Sequence, residues 1–348
     1  MITNDIIKEM KKSKVSIHIA FVVCLLVSAA KLFAQQNNFS DDYSKYLPEL
    51  RAFYKNQPLY PRMPVTPQTL KMVRQALDKP QKTVLRPSLT EINGPNGKIG
   101  LRIFRPQKIT AVYLDIHGGG NLWGSARGDD SLNDVMARTC NVAVVSVDYH
   151  LAPEYPYPAQ LVDCRTAVKW LLQTANATFG TDKIFIGGVS AGAQNTAATI
   201  LFVRDSLKAI NRVLGVGLHY GIYDLSRTPS HRLATDHTPV LNKGNLEEIM
   251  KAAYGQFTIE QLKSLELSPL YADLKDLPPA FLMCGTADAF IDDTNFMEAR
   301  WRMAGNKTFL ALFPEAAHGF NGSALKIGGI ANNLYFDWVK EQIRNSNN

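Results

Sequence analysis

Residues 183–205 read KIFIGGVSAGAQNTAATILFVRD. A short apolar run passes through Gly188-Val189-Ser190-Ala191-Gly192 into an alanine-rich stretch of helix-forming length, so the segment predicts a strand over 183–188, a tight turn and a helix over 191–205. A serine framed by glycines at ±2 in a strand–turn–helix is the arrangement that exposes a hydroxyl above a sheet edge. A second glycine run, His117-Gly118-Gly119-Gly120, follows the apolar strand predicted over 111–116. Either run alone is a weaker signal, since tight turns are common between strand and helix. Together, in this order and each at a strand end, they supply a nucleophile and a set of backbone N–H donors, the two parts that acyl transfer through serine needs.

Outward from that core, strands and helices alternate. Strands are predicted over 142–148, 213–220, 280–284 and 308–313, and helices over 159–174, 294–303 and 334–344. Asn96-Gly97 marks a hairpin turn between a strand ending near Asn93 and one over 98–104. Alternating units of this kind imply an α/β fold with a mostly parallel, doubly wound central sheet flanked by helices. The run 225–277 breaks the alternation and is too long for an ordinary connection, so it is expected to form a helical cap over the site. Residues 35–80, polar and then punctuated by Pro58, Pro61, Pro64 and Pro67, form an N-terminal cap segment ahead of the catalytic domain over 81–348; short helices are predicted near 44–54 and 68–78.

The first 34 residues stand apart. Lys8, Lys11, Lys12 and Lys14 precede an apolar stretch over 17–30, with small residues Ser28, Ala30 and Ala34 as cleavage positions. The pattern is that of a secretory signal peptide, too short in its apolar part to be a comfortable membrane span; an uncleaved signal anchor is the alternative. It implies a periplasmic or extracellular protein without a stable membrane anchor after cleavage. The segment also carries net charge +3 of the chain's +7, and the rest has no basic run that would mark a nucleic-acid partner. Cys140, Cys164 and Cys284 remain beyond Cys24, an odd number with no C-x-x-C spacing, and read as buried thiols rather than a disulfide framework or a zinc site. No metal or other cofactor is expected.

A base for Ser190 must be a histidine, and the chain has seven. His18 lies in the signal, His117 is placed to pin the glycine loop, and His150, His219, His231 and His237 fall in loops, a strand end or the cap. His318, in a loop after the last strand, stands where the order Ser…Asp…His needs it. Asp288 follows the 280–284 strand through Gly285-Thr286-Ala287 and is the acid; Asp292 and Asp293 are expected to cap the helix beginning at Thr294. Backbone N–H groups of Gly119, Gly120 and Ala191 would form the oxyanion hole, each such donor typically worth ~10²–10³ in rate.

With these residues, the chain resembles the hormone-sensitive-lipase-like branch of the α/β-hydrolases over about 98–322. Asp148-Tyr149-His150-Leu151-Ala152-Pro153-Glu154 is similar to the D-Y-R-L-A-P-E block of that branch, and Asp288-Ala289-Phe290-Ile291-Asp292 to its D-P-L-x-D acid motif. Ser268-Pro269-Leu270 with Leu277-Pro278-Pro279 is similar to the segment leading into its acid strand. The resemblance implies an α/β-hydrolase fold capped by the N-terminal segment and an insertion, acting on short- to medium-chain carboxylic esters. Departures from it include Val189 for an aspartate beside the serine, His150 for an arginine and Ala289 for a proline. A signal peptide is unusual for the branch and points to an extracytoplasmic ester, such as an acetylated glycan. An amidase or peptidase on the same triad is a second reading. A non-catalytic binding protein is a third, disfavoured because Ser190, Asp288 and His318 are all present.

Overall fold

The computed structural model describes residues 41–56 and 63–347, with 41 and 42 as backbone alone. The segment read as a signal peptide, and Pro58 and Pro61, lie outside the described residues.

Eight strands form one sheet: β1 (Ser88–Gly94), β2 (Gly97–Phe104), β3 (Ala111–Ile116), β4 (Val142–Asp148), β5 (Ile184–Val189), β6 (Val213–His219), β7 (Ala280–Gly285) and β8 (Thr308–Phe313). Their order is β1-β2-β4-β3-β5-β6-β7-β8. Only the β1/β2 and β2/β4 pairs are antiparallel; the others are parallel. β3 and β7 are buried at every residue, which explains their largely apolar character: helices cover both faces, so no side faces water, and the one carboxylate among them, Asp115, is met by Asn133 and Ser146. The hairpin at the sheet edge turns on Pro95 and Asn96, with Gly97 (φ +123°) opening β2, one residue earlier than Asn96-Gly97 predicts.

The strand order reverses direction between β3 and β5. These neighbours pair in parallel with Ile116 opposite Gly188, so the segments leaving their carboxyl ends emerge side by side. Such a switch point opens a crevice between the two outgoing loops. Here one loop carries the 118–120 glycines and the other carries Ser190.

Ten helices surround the sheet among the described residues: α1 (Leu47–Lys55), α2 (Pro67–Leu77), α3 (Asp130–Cys140), α4 (Ala159–Phe179), α5 (Ala191–Asp205), α6 (Pro229–Leu233), α7 (Lys243–Tyr254), α8 (Ile259–Leu262), α9 (Ile291–Met303) and α10 (Lys326–Asn345). α5 is buried along nearly its whole length; its alanines let it lie close against β5 and β6. α4 runs five residues beyond the predicted end, to a left-handed Gly180.

α3 is absent from the sequence reading. Its buried face mixes Asp130, Asn133 and Asp134 with Met136, Ala137 and Cys140, which hides the apolar period. Each polar group has partners: Asp130 pairs with Arg102 at 2.5 Å, Asn133 donates to Asp115 at 2.8 Å, and Asp134 accepts from the Val84 and Leu85 amides.

The N-terminal segment divides. α1 and the turn before it pack toward the end of β8: the Tyr43 ring lies tilted against Phe313 (5.0 Å), Arg51 pairs with Glu315, and the Ala317 amide donates to Tyr54 Oη at 2.9 Å. α2, started by a reciprocal Thr66–Thr69 capping box, shares its buried Leu70 with Leu246 and Met250 of α7. The Met63 amide donates to Asn245 Oδ1, fastening this stretch to the insertion.

Candidate active site

The turn after β5 forces Ser190 into φ +56°, a conformation costly for a residue with a Cβ, and the Ser190 amide is held by the His219 carbonyl at 2.9 Å. The framing glycines are steric necessities. A Cβ on Gly188 would stand 2.5 Å from the Gly192 carbonyl oxygen, and one on Gly192 would run into the Ile116 and His117 carbonyls. α5 begins at Ala191, so its N-terminal partial positive charge faces the Ser190 side.

His318, in the loop after β8, bridges the two other groups that the sequence singles out. Its Nε2 lies 2.8 Å from Ser190 Oγ and its Nδ1 lies 2.9 Å from Asp288 Oδ2. Asp288 is buried, and its other oxygen accepts the Phe290 amide at 2.9 Å. Edge-on contacts from Tyr220 (4.9 Å) and Phe290 (5.4 Å) fix the imidazole plane. These two aromatic neighbours carry no sequence signature and were not anticipated.

Gly118, Gly119 and Gly120 line the same cavity as Ser190 and Ala191. Gly119 (φ +115°) has its carbonyl turned inward, accepting from the Leu122 and Trp123 amides at 3.0 Å each. Among the described residues, no acceptor meets the amides of Gly119, Gly120 or Ala191. His117 does pin the loop: Nδ1 donates to the Gly118 carbonyl at 2.7 Å and the ring stacks on Tyr149 at 4.0 Å. Burial lowers its pKa, consistent with a neutral ring.

Asp292 and Asp293 do not cap a helix at Thr294, because α9 already begins at Ile291. Their carboxylates reach back to the segment after β6. Asp293 accepts from the Tyr223 and Asp224 amides and from Thr228 Oγ1 (2.7, 2.9 and 2.6 Å), and Asp292 accepts from the Ser230 amide at 2.7 Å. Burial pushes the Asp293 carboxyl up to about 7. The remaining histidines are elsewhere. His150 binds the buried Asp163 at 2.6 Å, His219 and His231 are buried, and His237 is exposed. Cys140, Cys164 and Cys284 are buried free thiols.

The cavity above Ser190 holds about 440 Å³. Val73 and Leu77 of α2, Leu246, Ile249 and Met250 of α7, and Ile222 make it largely apolar. Val189, at the position of the missing aspartate, adds another apolar wall. No cluster of His, Cys, Asp or Glu suited to a metal ion occurs among the described residues, and no helix there is long and apolar enough to cross a membrane.

A family model described as alpha/beta hydrolase fold matches residues 113–322. An arylesterase of Saccharolobus solfataricus is 31% identical over 235 residues, covering 65% of this chain and 74% of its own length. An acetyl esterase of Salmonella schwarzengrund is 27% identical over 233 residues (65% and 70%). A solved esterase of Pyrobaculum calidifontis superposes with a TM-score of 0.71 at 26% identity, covering 78% of this chain and 92% of its own. The chain belongs to the α/β-hydrolase fold family, in its hormone-sensitive-lipase-like branch. Within it, this is a serine ester hydrolase of the carboxylesterase type.

Proposed function

We propose that the protein hydrolyses short- to medium-chain carboxylic esters through an acyl-enzyme on Ser190. The observation that carries this reading is His318, within hydrogen-bond distance of both Ser190 Oγ and Asp288 at the floor of an apolar cavity. His318 takes the Ser190 proton as Oγ attacks the ester carbonyl, and Asp288 holds the Nδ1–H and steadies the imidazolium. The oxyanion that forms is met by the amides of Gly119, Gly120 and Ala191, with the α5 N-terminus adding positive potential. Collapse breaks the bond to the alcohol oxygen, which leaves with the proton from His318. Water then repeats the cycle on the acyl-serine and releases the carboxylic acid and free Ser190.

The apolar walls from α2 and α7 support an alkyl acyl chain in the cavity, because burying each methylene there gains roughly 0.8 kcal/mol. The names of the two relatives, an arylesterase and an acetyl esterase, agree with small esters. Turnover of p-nitrophenyl esters from acetate to laurate checks this. Activity peaking at about two to six carbons and reduced to background in Ser190→Ala is the expected result. A folded protein inactive on every ester of the series overturns the reading.

A further inference from the structure

The residues just after the glycine loop are held by the two helices that wall the cavity. Asn121 is fully buried and left-handed (φ +61°). Its Nδ2 donates to Tyr254 Oη at 2.7 Å and its Oδ1 accepts from Asn195 Nδ2 of α5 at 2.9 Å. Tyr254, the last residue of α7, passes its own proton to Gln194 Oε1 of α5 at 2.8 Å, and Gln194 in turn donates to the Leu267 carbonyl. On the other side, Arg74 of α2 donates from Nε to the Leu122 carbonyl (2.8 Å) and from Nη2 to the Ala152 carbonyl (2.7 Å). It also closes a bidentate pair with Glu154 at 2.9 Å per bond. Ala152 returns a bond from its amide to the Asn121 carbonyl.

We propose that Tyr254 and Arg74 are positioning residues that make the oxyanion loop depend on the cap: the donors of Gly119 and Gly120 are aligned only while α7 and α2 are seated. This rests on the oxyanion role given to that loop above. Tyr254 lines the cavity, yet its hydroxyl accepts from Asn121 and donates to Gln194, so it serves the loop rather than the substrate. Asn195 Oδ1 has no hydrogen-bond partner, but the polar side-chain atoms of Asn121, Tyr254 and Gln194 are all engaged, and removing the Tyr254 hydroxyl strands two of them, Asn121 Nδ2 and Gln194 Oε1. Small misplacement of an oxyanion donor is expensive in rate, while the apolar walls that hold the acyl chain are untouched.

The test is a comparison of p-nitrophenyl acetate with p-nitrophenyl hexanoate. Acylation and deacylation both pass through an oxyanion, so Tyr254→Phe is expected to lower kcat by about 10- to 100-fold on both esters alike, with KM within about twofold of wild type. Affinity for a trifluoromethyl ketone, which forms a tetrahedral adduct, should fall by the same factor as kcat/KM. Arg74→Met should act in the same direction, and Arg74→Lys, which keeps a donor, should recover part of the loss; this pair carries the test should Tyr254→Phe fail to fold. A role confined to holding the cap would appear as a raised KM for hexanoate with acetate spared, and that result, or kcat within twofold of wild type in all three variants, overturns the proposal. A wild-type protein with no esterase activity would instead overturn the function on which it rests.

Discussion

Gly192 has no room for a side chain because two carbonyls, of Ile116 and His117, occupy the place a Cβ would take. Those carbonyls belong to the end of β3 and the start of the glycine loop, so the elbow and that loop approach closely at this residue. Gly192→Ala must push the two apart, and backbone cannot yield as a flexible side chain would. A shift of about 1 Å between nucleophile and oxyanion donors costs on the order of 10²-fold in rate. We therefore expect Gly192→Ala to fold, to bind product-like inhibitors, and to lose at least about that factor in kcat/KM for p-nitrophenyl butyrate. Retention of wild-type kcat/KM would show that the close approach is not functionally required. Ser190 itself stores strain at φ +56°, tolerated because β5, α5 and the His219 carbonyl together hold it.

At the level of elements, β6 carries a second consequence of burial. His219 ends this strand with its ring edge-on to Tyr335 at 4.5 Å, and burial alone pushes its pKa down to about 3. In the unfolded chain the same ring titrates near 6.5, so between those values the unfolded state binds the extra proton. Stability contributed by keeping His219 neutral is thus complete above about pH 6.5 and is lost as pH falls toward 3, by an amount on the order of a few kcal/mol. His231 in α6, pushed down to about 4, works in the same direction. Urea unfolding of wild type should weaken steeply through this window, and His219→Phe should flatten the slope; an unchanged slope would contradict the assignment. How well elements are legible from sequence also turns on burial. β3 and β5 were readable because two covered faces demand mostly apolar residues, Asp115 being the one charged exception. α3 was not, because Asp130, Asn133 and Asp134 are buried against Arg102, Asp115 and backbone amides that lie far away in sequence. Asp292 and Asp293 misled for a related reason: acidic residues near a helix start usually cap it, whereas here they fasten the segment after β6. Ser190, Asp288 and His318 were legible because each sits at a strand end in a fixed order. The aromatic clamp of Tyr220 and Phe290, and the Asn121–Tyr254 bond, were not, since nothing local marks residues that meet only in the fold.

Across the whole molecule, the reversal of strand order between β3 and β5 sets the chemistry in place. It brings the glycine loop and the serine elbow out side by side, while β7 and β8 deliver Asp288 and His318 to the same edge. The helices α2 and α7 close an apolar cavity over them, far from each other in sequence yet sharing the Leu70, Leu246 and Met250 cluster. The central claim is that this assembly works through an ester of Ser190. It is tested most directly by mass spectrometry of the intact and digested protein after reaction with diethyl p-nitrophenyl phosphate, which traps an activated serine. The expected result is one diethylphosphoryl group per chain, on the peptide holding Ser190, with esterase activity lost in proportion and no adduct in Ser190→Ala. An adduct on another residue, or full ester turnover by protein already modified at Ser190, would contradict it.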